Sequence, residues 1–532
     1  MDRRSFILRA GLFAAGSAFC GSLVDCGTEL PIPCLGPAPA PAPVAGMTYI
    51  RASQIGCALD CNLENGRNKY TGGAATDDGP RINAAMAGAT ASNPITLIID
   101  GSALISGLFL PAGGYWGIAG LGCGTGFFLK SGTNNDGIHN GGPSAAIPFD
   151  PGPVAPSRGS SVSLRNFTLN GNQGNGHNGD STTGSTQGTA GKVWYIGINL
   201  MSLDNITIEN VVIVNTPAYH MRLSNVGSVA ISGCVLRSIG PSTDGLHFDG
   251  PANDISISNC DFTMSDDAIA LNCPEGYSGN ISRVTVTNCK FNSWSLMRLD
   301  TIQFSGATPF NIDTVTVSNC SGTLAQAGFL IGQGTGSNPN SVTALTISDC
   351  VLTAPAVLEV GANFGDIALS NVTLVPWNSY EAPGFAFLRT SKYFQNDTYV
   401  GSKLSLDNCT ISRSKSFQVA ALILENGSTI NNVVFNGLVV NDAGSYAPSR
   451  ELLDFIGGSI GQLVINAMDS THIKAPVSAD GFSSIGSVSG TGVLATGWEF
   501  PDAVMASGVP YISASTGLPS IKIAGVVEPY VA

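Results

Sequence analysis

The feature that most constrains this chain is an internal repeat. Six short segments share one pattern: Ile231-Ser232-Gly233-Cys234, Ile257-Ser258-Asn259-Cys260, Val286-Thr287-Asn288-Cys289, Val317-Ser318-Asn319-Cys320, Ile347-Ser348-Asp349-Cys350 and Leu406-Asp407-Asn408-Cys409. From Cys234 to Cys350 the intervals are 26, 29, 31 and 30 residues, and Asn210, Asn371 and Asn432 extend the series with similar flanks. A period in the twenties to low thirties marks a solenoid, in which each unit buries its apolar face only against its neighbours. A chain of 532 residues would otherwise be expected to split into several domains.

Within each unit apolar and polar residues alternate over four to six positions, as in Val284-Thr285-Val286-Thr287, and a turn separates one run from the next. Short period-two runs at this spacing read as strands, with no helical period between them. Strands of successive coils then stack in parallel, about 4.8 Å apart, and the expected fold is an all-β parallel β-helix. Asn or Cys at the same place in each coil forms a ladder at a turn, where Asn satisfies the bent backbone and Cys fills space as a small apolar group. The cysteine spacing matches no zinc pattern. Of the 13 cysteines, Cys57 and Cys61 are the better disulfide candidates for an exported chain.

Open coil ends need caps. The run Asp77–Met86, with a carboxylate N-cap, an early Pro and then Ala-rich sequence, predicts one short N-terminal capping helix, and Ile95–Asp100 predicts the strand that begins the first coil. After about Leu463 the repeat becomes irregular, and Gly508–Ala532 reads as a closing segment. The expected organisation is residues 1–45 as signal and spacer, 46–110 as cap and first coil, and 111–532 as the β-helix with its irregular end.

The leader Met1-Asp2-Arg3-Arg4-Ser5-Phe6-Ile7-Leu8-Arg9, followed by the apolar stretch Ala10–Val24, resembles a twin-arginine export signal, which places the mature chain in the periplasm or outside the cell. The apolar run is too short, and too relieved by Gly and Ser, for a membrane-spanning helix. Pro31–Pro43 reads as a stiff spacer. The net charge is −13, with no Lys/Arg block after the leader to neutralise a run of phosphates, so nucleic acid is excluded as a partner. An acidic surface also repels a polyanionic glycan unless basic residues gather in its cleft.

One pair of coils carries chemistry. Aligning Asp244-Gly245-Leu246-His247-Phe248 with Asp267-Ala268-Ile269-Ala270-Leu271 puts Asp244 beside Asp267, 23 residues and one coil later, with Asp266 at the bend where the strand begins. Inverting glycosidic hydrolysis needs one protonated carboxyl for the leaving oxygen and one ionised carboxylate for water, across about 6.5–9.5 Å. One rung plus divergence of the side chains is expected to supply that gap. Crowding of three carboxylates keeps at least one protonated.

At these residues the chain resembles the polygalacturonase family, glycoside hydrolase family 28, over residues 205–275. That family carries Asn-Thr-Asp-Gly before one strand and Gly-Asp-Asp before the strand of the next coil. Ser242-Thr243-Asp244-Gly245 and Ser265-Asp266-Asp267 match them, and Val214-Asn215-Thr216-Pro217-Ala218-Tyr219-His220 resembles the family's Asn-Ser-Pro with a nearby aromatic. The resemblance implies a right-handed β-helix of the pectin-lyase-like kind and an exported hydrolase of polysaccharide that needs no cofactor or metal. It makes Asp266 the general acid and has Asp244 and Asp267 activate the water.

There are departures. Ala327 stands where the family's Gly-His-Gly would place an imidazole, no His lies between His247 and His472, and the family's Arg-Ile-Lys is missing. These departures favour a hydrolase with an altered glycan-binding surface. His247 shares the expected exposed parity of Gly245 and Asp249 and is a candidate for lining a sugar subsite, as are Asn272 and Arg298. His139 and His177 read as solvent-exposed loop residues, and the insertion Asn170–Gly191 as a cleft wall. A β-elimination lyase on the same scaffold, or a non-catalytic glycan-binding β-helix, are the competing readings. The protein is expected to act as a monomer.

Overall fold

Parallel pairing runs through almost every strand of the chain. The computed structural model describes residues 32–33, 36–133, 135–141, 154–173, 196–240, 242–301, 310–332, 341–377, 384–390, 398–414, 417–444, 451–477 and 481–531. The twin-arginine leader, His177 and most of the expected insertion lie outside them. The described residues fall into two compact units, the first reaching Trp294 and the second comprising 295–301 and the described residues from 310 to 531.

In the first unit three parallel ladders form. One runs through Thr48–Arg51, Ile95–Ile99, Trp116–Gly120, Gly159–Arg165, Ile198–Glu209, Met221–Ser232, Leu246–Ser258 and Ile281–Thr287. A second runs from Ser102–Ile105 through Gly126–Leu129, Thr168–Asn170, Val212–Val214, Val235–Ser238 and Asp261–Met264. The third links Leu108–Leu110 and Ile138–Asn140 to the first halves of the long strands and ends on Ile269–Asn272. Two of the long strands turn a corner at a residue with left-handed backbone, Ser202 and Asn225, with φ of 54° and 53°, and the third shifts register against its neighbour at the same place, between Asp249 and Ala252. The result is the expected parallel β-helix. Its inward positions stack β-branched residues in register, Val229 on Ile255 on Val284 and Ile231 on Ile257 on Val286, all at most 1% exposed. Each such side chain contributes about 1.5–3 kcal/mol relative to exposure.

The second unit repeats the plan. Its long ladder passes through Ile312–Ser318, Ser341–Ser348, Asn363–Ser370, Val400–Asp407, Thr429–Asp442, Ser459–Met468 and Ile485–Ser489. The irregular end is a four-stranded sheet, Glu499–Phe500, Pro510–Ser513, Pro519–Ile523 and Val526–Pro529, mostly antiparallel.

The repeat residues sit where the pattern puts them. Asn210, Asn259, Asn288, Asn319, Asp349, Asn371 and Asn408 all take φ of 51–56° at the same turn, and Gly233 shares it at 63°. Cys234, Cys260, Cys289, Cys320, Cys350 and Cys409 point inward and are buried. Asn432 is a correction: it lies within the strand Thr429–Asp442 opposite Lys403, and the ladder position of that coil is Gly437, with φ of 110°. The reading of Cys57 and Cys61 as the better disulfide candidates is a second correction. Both are free thiols, and burial pushes each up to about 12.

At the N-terminal end the capping helix is Gly79–Met86, with Pro in its first turn. Asp78 does not cap it through its side chain. It accepts instead from the Ala58 and Leu59 amides at 2.8 and 2.9 Å, tying the helix to the preceding loop. The first coil also begins earlier than expected, because Thr48–Arg51 pairs with Ile95–Ile99. His139, expected in a solvent-exposed loop, lies in the strand Ile138–Asn140, 2% exposed, with Nδ1 3.2 Å from the Asp136 carboxylate.

Candidate active site

The two aspartate segments lie in adjacent coils of the first unit. Leu246, His247, Phe248 and Asp249 pair with Ile269, Ala270, Leu271 and Asn272, and the Gly245 and Leu246 amides donate to the Asp267 and Ala268 carbonyls at 3.0 and 2.9 Å. The expected register of Asp244 over Asp267 therefore holds. Local chemistry fixes the turn before it. The Thr243 hydroxyl donates to the Gly240 carbonyl at 2.7 Å, and the Asp244 carbonyl accepts the His220 amide at 2.9 Å. Gly245 admits no side chain: a Cβ there would meet the Ala268 carbonyl oxygen at 2.5 Å and the Phe262 ring at 2.8 Å. This close approach lets Asp244 sit directly on the next coil.

Asp266 occupies the bend. Its carboxylate accepts the Ser242 amide at 2.9 Å and the Asp267 amide at 3.0 Å, and its carbonyl accepts the Trp294 amide at 3.1 Å. Asp244 and Asp267 are 5% and 2% exposed, whereas Asp266 is half-buried. One carboxylate oxygen from each of the three lies within 4.8 Å of the others. The trio thus converges more tightly than the gap of about 6.5–9.5 Å expected for carboxylates on opposite sides of a water. The reason is the parallel register, which sets the side chains side by side one rung apart instead of letting them diverge.

His247 corrects the reading of it as an exposed subsite residue, for it is 1% exposed. Its Nδ1 is 2.7 Å from Asp244 Oδ2 and its Nε2 is 3.1 Å from Glu275 Oε2. Asp249 Oδ1 is also 3.2 Å from Nε2, but it lies off the N–H direction, which a single hydrogen commits to Glu275. The ring stacks on Tyr219 with centroids 4.0 Å apart and an interplanar angle of 10°. Burial alone would lower the imidazole's pKa, but the surrounding carboxylates of Asp244, Asp249 and Glu275 outweigh it and hold His247 well above its ordinary value, as an imidazolium.

Arg222, fully buried, donates from Nε to Asp249 Oδ2 at 2.7 Å. Burial would raise Asp249, yet Arg222 and His247 together hold it below the usual carboxylate range. Asn272 is 5% exposed, with its amide nitrogen 3.4 Å from His247 Nε2. Arg298 belongs to the second unit, where it faces Asp300 at 3.8 Å. Ala327, also in the second unit, is fully buried.

Sequence reasoning left Arg222, Asp249 and Glu275 unassigned and named Tyr219 only as a nearby aromatic. The register would have found Arg222, one coil before His247, and Asp249, two residues after it. Glu275 follows a short strand in a Pro-Glu-Gly turn, and nothing in that tripeptide distinguishes it.

The fold and the trio together define a parallel β-helix protein with stacked carboxylates on one coil edge. The model of Glycosyl hydrolases family 28 matches residues 156–354, and the resemblance read from the two aspartate motifs holds over this stretch. Among solved structures, the chain is similar to the family 28 exopolygalacturonase of Yersinia enterocolitica at 13% identity and a TM-score of 0.50, over 79% of this chain and 78% of that one. It is also similar to a hyperthermoactive exopolygalacturonase from Thermotoga maritima, at 13% identity and a TM-score of 0.46 over 76% and 94%. A third is PfbA, a surface adhesin of Streptococcus pneumoniae, at 12% identity and a TM-score of 0.45 over 91% and 99%. At 13% identity the likeness to the Yersinia enterocolitica structure shows the fold alone. No curated protein sequence matches the chain. Among the described residues no helix is long and apolar enough to cross a membrane.

Proposed function

We propose that the protein is a glycoside hydrolase that cuts a polysaccharide of the pectin kind at the Asp244–Asp266–Asp267 ledge. The observation that carries this reading is the convergence of the three carboxylates within 4.8 Å on adjacent coils, inside the stretch that matches family 28. Asp266, half-buried and at the bend, faces solvent most and is the group to protonate the leaving glycosidic oxygen. Asp244 and Asp267, more deeply set, activate the water. In this division of roles Asp266 delivers the proton to the leaving oxygen and the Asp244 and Asp267 carboxylates polarise the water. Because the oxygens are too close for water to sit between opposed carboxyls, the attacking water lies beside the Asp244–Asp267 pair. Inversion at the anomeric carbon is what the resemblance to the polygalacturonase family implies, against the wider carboxylate gap that inversion ordinarily uses.

The sugar chain is one whose binding does not depend on the family's Arg-Ile-Lys or its imidazole. The protein acts as a monomer, exported through its twin-arginine leader to the periplasm or beyond. Purified protein is tested on polygalacturonate, xylogalacturonan and xylan by reducing-end release, with the anomer of the first product read by proton NMR. Wild-type release with loss of release in Asp266→Asn at unchanged fold supports the reading; equal release by Asp266→Asn overturns it.

A further inference from the structure

The aspartate ledge is backed by a chain of buried charge that hydrolysis by three carboxylates does not by itself require. His247 presents Nδ1 to Asp244 at 2.7 Å and Nε2 to Glu275 at 3.1 Å, with Asp249 at 3.2 Å and Tyr219 stacked against one face. Arg222 fixes Asp249 from behind at 2.7 Å. The turn that carries Glu275 is itself fitted to this cluster: Gly276 has φ of 62°, and a Cβ on it would meet Ser224 Oγ at 2.2 Å and Asp249 Oδ2 at 2.6 Å. Only a glycine lets Glu275 close over the imidazole.

Both ring nitrogens face carboxylate oxygens, which accept and cannot donate when ionised, so both must carry hydrogen. At 1% exposure the ring cannot touch a substrate. A group that is immobilised at both nitrogens and one face, and that donates to a water-activating carboxylate, orients that carboxylate, as the partner of a catalytic base does.

We propose that His247 is a positioning residue, set by Glu275, Asp249 and Arg222, that aims Asp244 at the attacking water. The role rests on the hydrolase reading of the ledge. The charged and titratable groups around the ring are Asp244 and Asp249 from its own segment, Tyr219 and Arg222 from the preceding coil, and Glu275 from the turn after the next strand.

The test uses the full chain, its His247→Gln, Glu275→Gln and Asp266→Asn variants, and two readouts. Nitrogen-15 NMR of the wild type is expected to show His247 doubly protonated at pH 7, and Glu275→Gln to lower its titration midpoint by about one unit or more. With polygalacturonate, or whichever chain of the panel the wild type cuts, His247→Gln is expected to lose about 10–100-fold in kcat. KM should stay within about twofold, and the acid limb of the kcat profile should move up by about one pH unit. Should His247→Gln fail to fold by circular dichroism, Glu275→Gln carries the same test, with a smaller fall in kcat that tracks its His247 midpoint.

A neutral His247 ring at pH 7 overturns the proposal. So does a His247→Gln enzyme with wild-type kcat and pH profile while Asp266→Asn is dead. An active Asp266→Asn, or a wild type inactive on every chain, overturns the hydrolase reading and this role with it.

Discussion

Two clusters of buried charge, one in each unit, are built from similar side chains and differ in balance. In the second unit Glu359, fully buried, accepts from Arg389 Nε and Nη2 at 3.1 and 2.6 Å and from Gln326 at 2.7 Å. One carboxylate meets one guanidinium, and the two stand opposite each other in register on neighbouring strands. In the first unit Asp244, Asp249 and Glu275 surround His247, Arg222 holds Asp249, and Asp266 and Asp267 converge on Asp244. A closed pair is a structural device, since every charge is neutralised where it stands. A surplus of carboxylates around one imidazolium leaves charge and protons to be moved, which is what acid–base chemistry needs.

The sharpest way to break the comparison is to remove charge at the ledge. Asp266→Asn should lower kcat by about 10³-fold, near 4 kcal/mol of barrier, while the thermal midpoint changes little or rises because repulsion is relieved. Reducing-end assays and calorimetry on the same preparation check it. A large fall in melting temperature would make the ledge structural, like Glu359–Arg389. The reciprocal change is Arg389→Ala, which strands Glu359 in the interior and should destabilise by about 3–5 kcal/mol in urea titration. Joint replacement of Glu359 and Arg389 by Met and Leu should recover most of that loss, and a pair that did not recover would make the ion pair more than a neutralised charge.

How much of this contrast was legible in the sequence follows from periodicity. The coil register gave Asp244 over Asp267 because the motifs repeat their apolar phase, Leu246-Phe248 against Ile269-Leu271. The same phase misplaced His247. Outward parity reads as exposure, yet the row is roofed by side chains such as Tyr219 and Glu275, which come from other coils and turns. Parity states which side of a strand a residue leaves, and burial depends on what arrives there from elsewhere. Asn432 failed for a smaller reason: a Gly, equally suited to left-handed backbone, takes the ladder position five residues later at Gly437.

A third kind of buried titratable group tests the comparison by pH. His220 is fully buried, with Nδ1 2.8 Å from the Asp244 carbonyl. Burial drives its pKa down to about 4, against smaller upward effects of hydrogen bonds to the Asp244 and Arg237 backbone. The unfolded state, near 6.5, therefore binds a proton that the folded state refuses between about 6.5 and 4. Stability from this residue is full above 6.5 and falls with acidification, by about 3 kcal/mol once pH reaches 4. His247 runs the opposite way: its folded value is raised, so its contribution is complete below the ordinary histidine range and is lost as pH climbs through the raised value. Urea midpoints at pH 7 and 4.5 should drop less on acidification in His220→Gln than in wild type. An equal drop would remove His220 from the acid response.

The smallest expected effect separates backbone from charge altogether. Asn259 is exposed and takes φ of 55°, and its ladder neighbours are Gly233 at 63° and Asn288 at 56°. Its amide donates to the Thr287 carbonyl at 3.1 Å, and the Gly233 amide donates to the Ser258 carbonyl at 3.0 Å, so the turn is bonded the same way whether Asn or Gly occupies it. An L-residue with an ordinary Cβ pays about 1–2 kcal/mol in this region, whereas Gly is indifferent to it. Asn259→Ala should therefore cost about 1 kcal/mol, while Asn259→Gly stays near wild type apart from added freedom of the unfolded chain. Neither should touch kcat. Equal losses for Ala and Gly would mean that the Asn side chain itself stabilises the ladder, so that the turn, like the ledge, depends on polar side chains stacked in register.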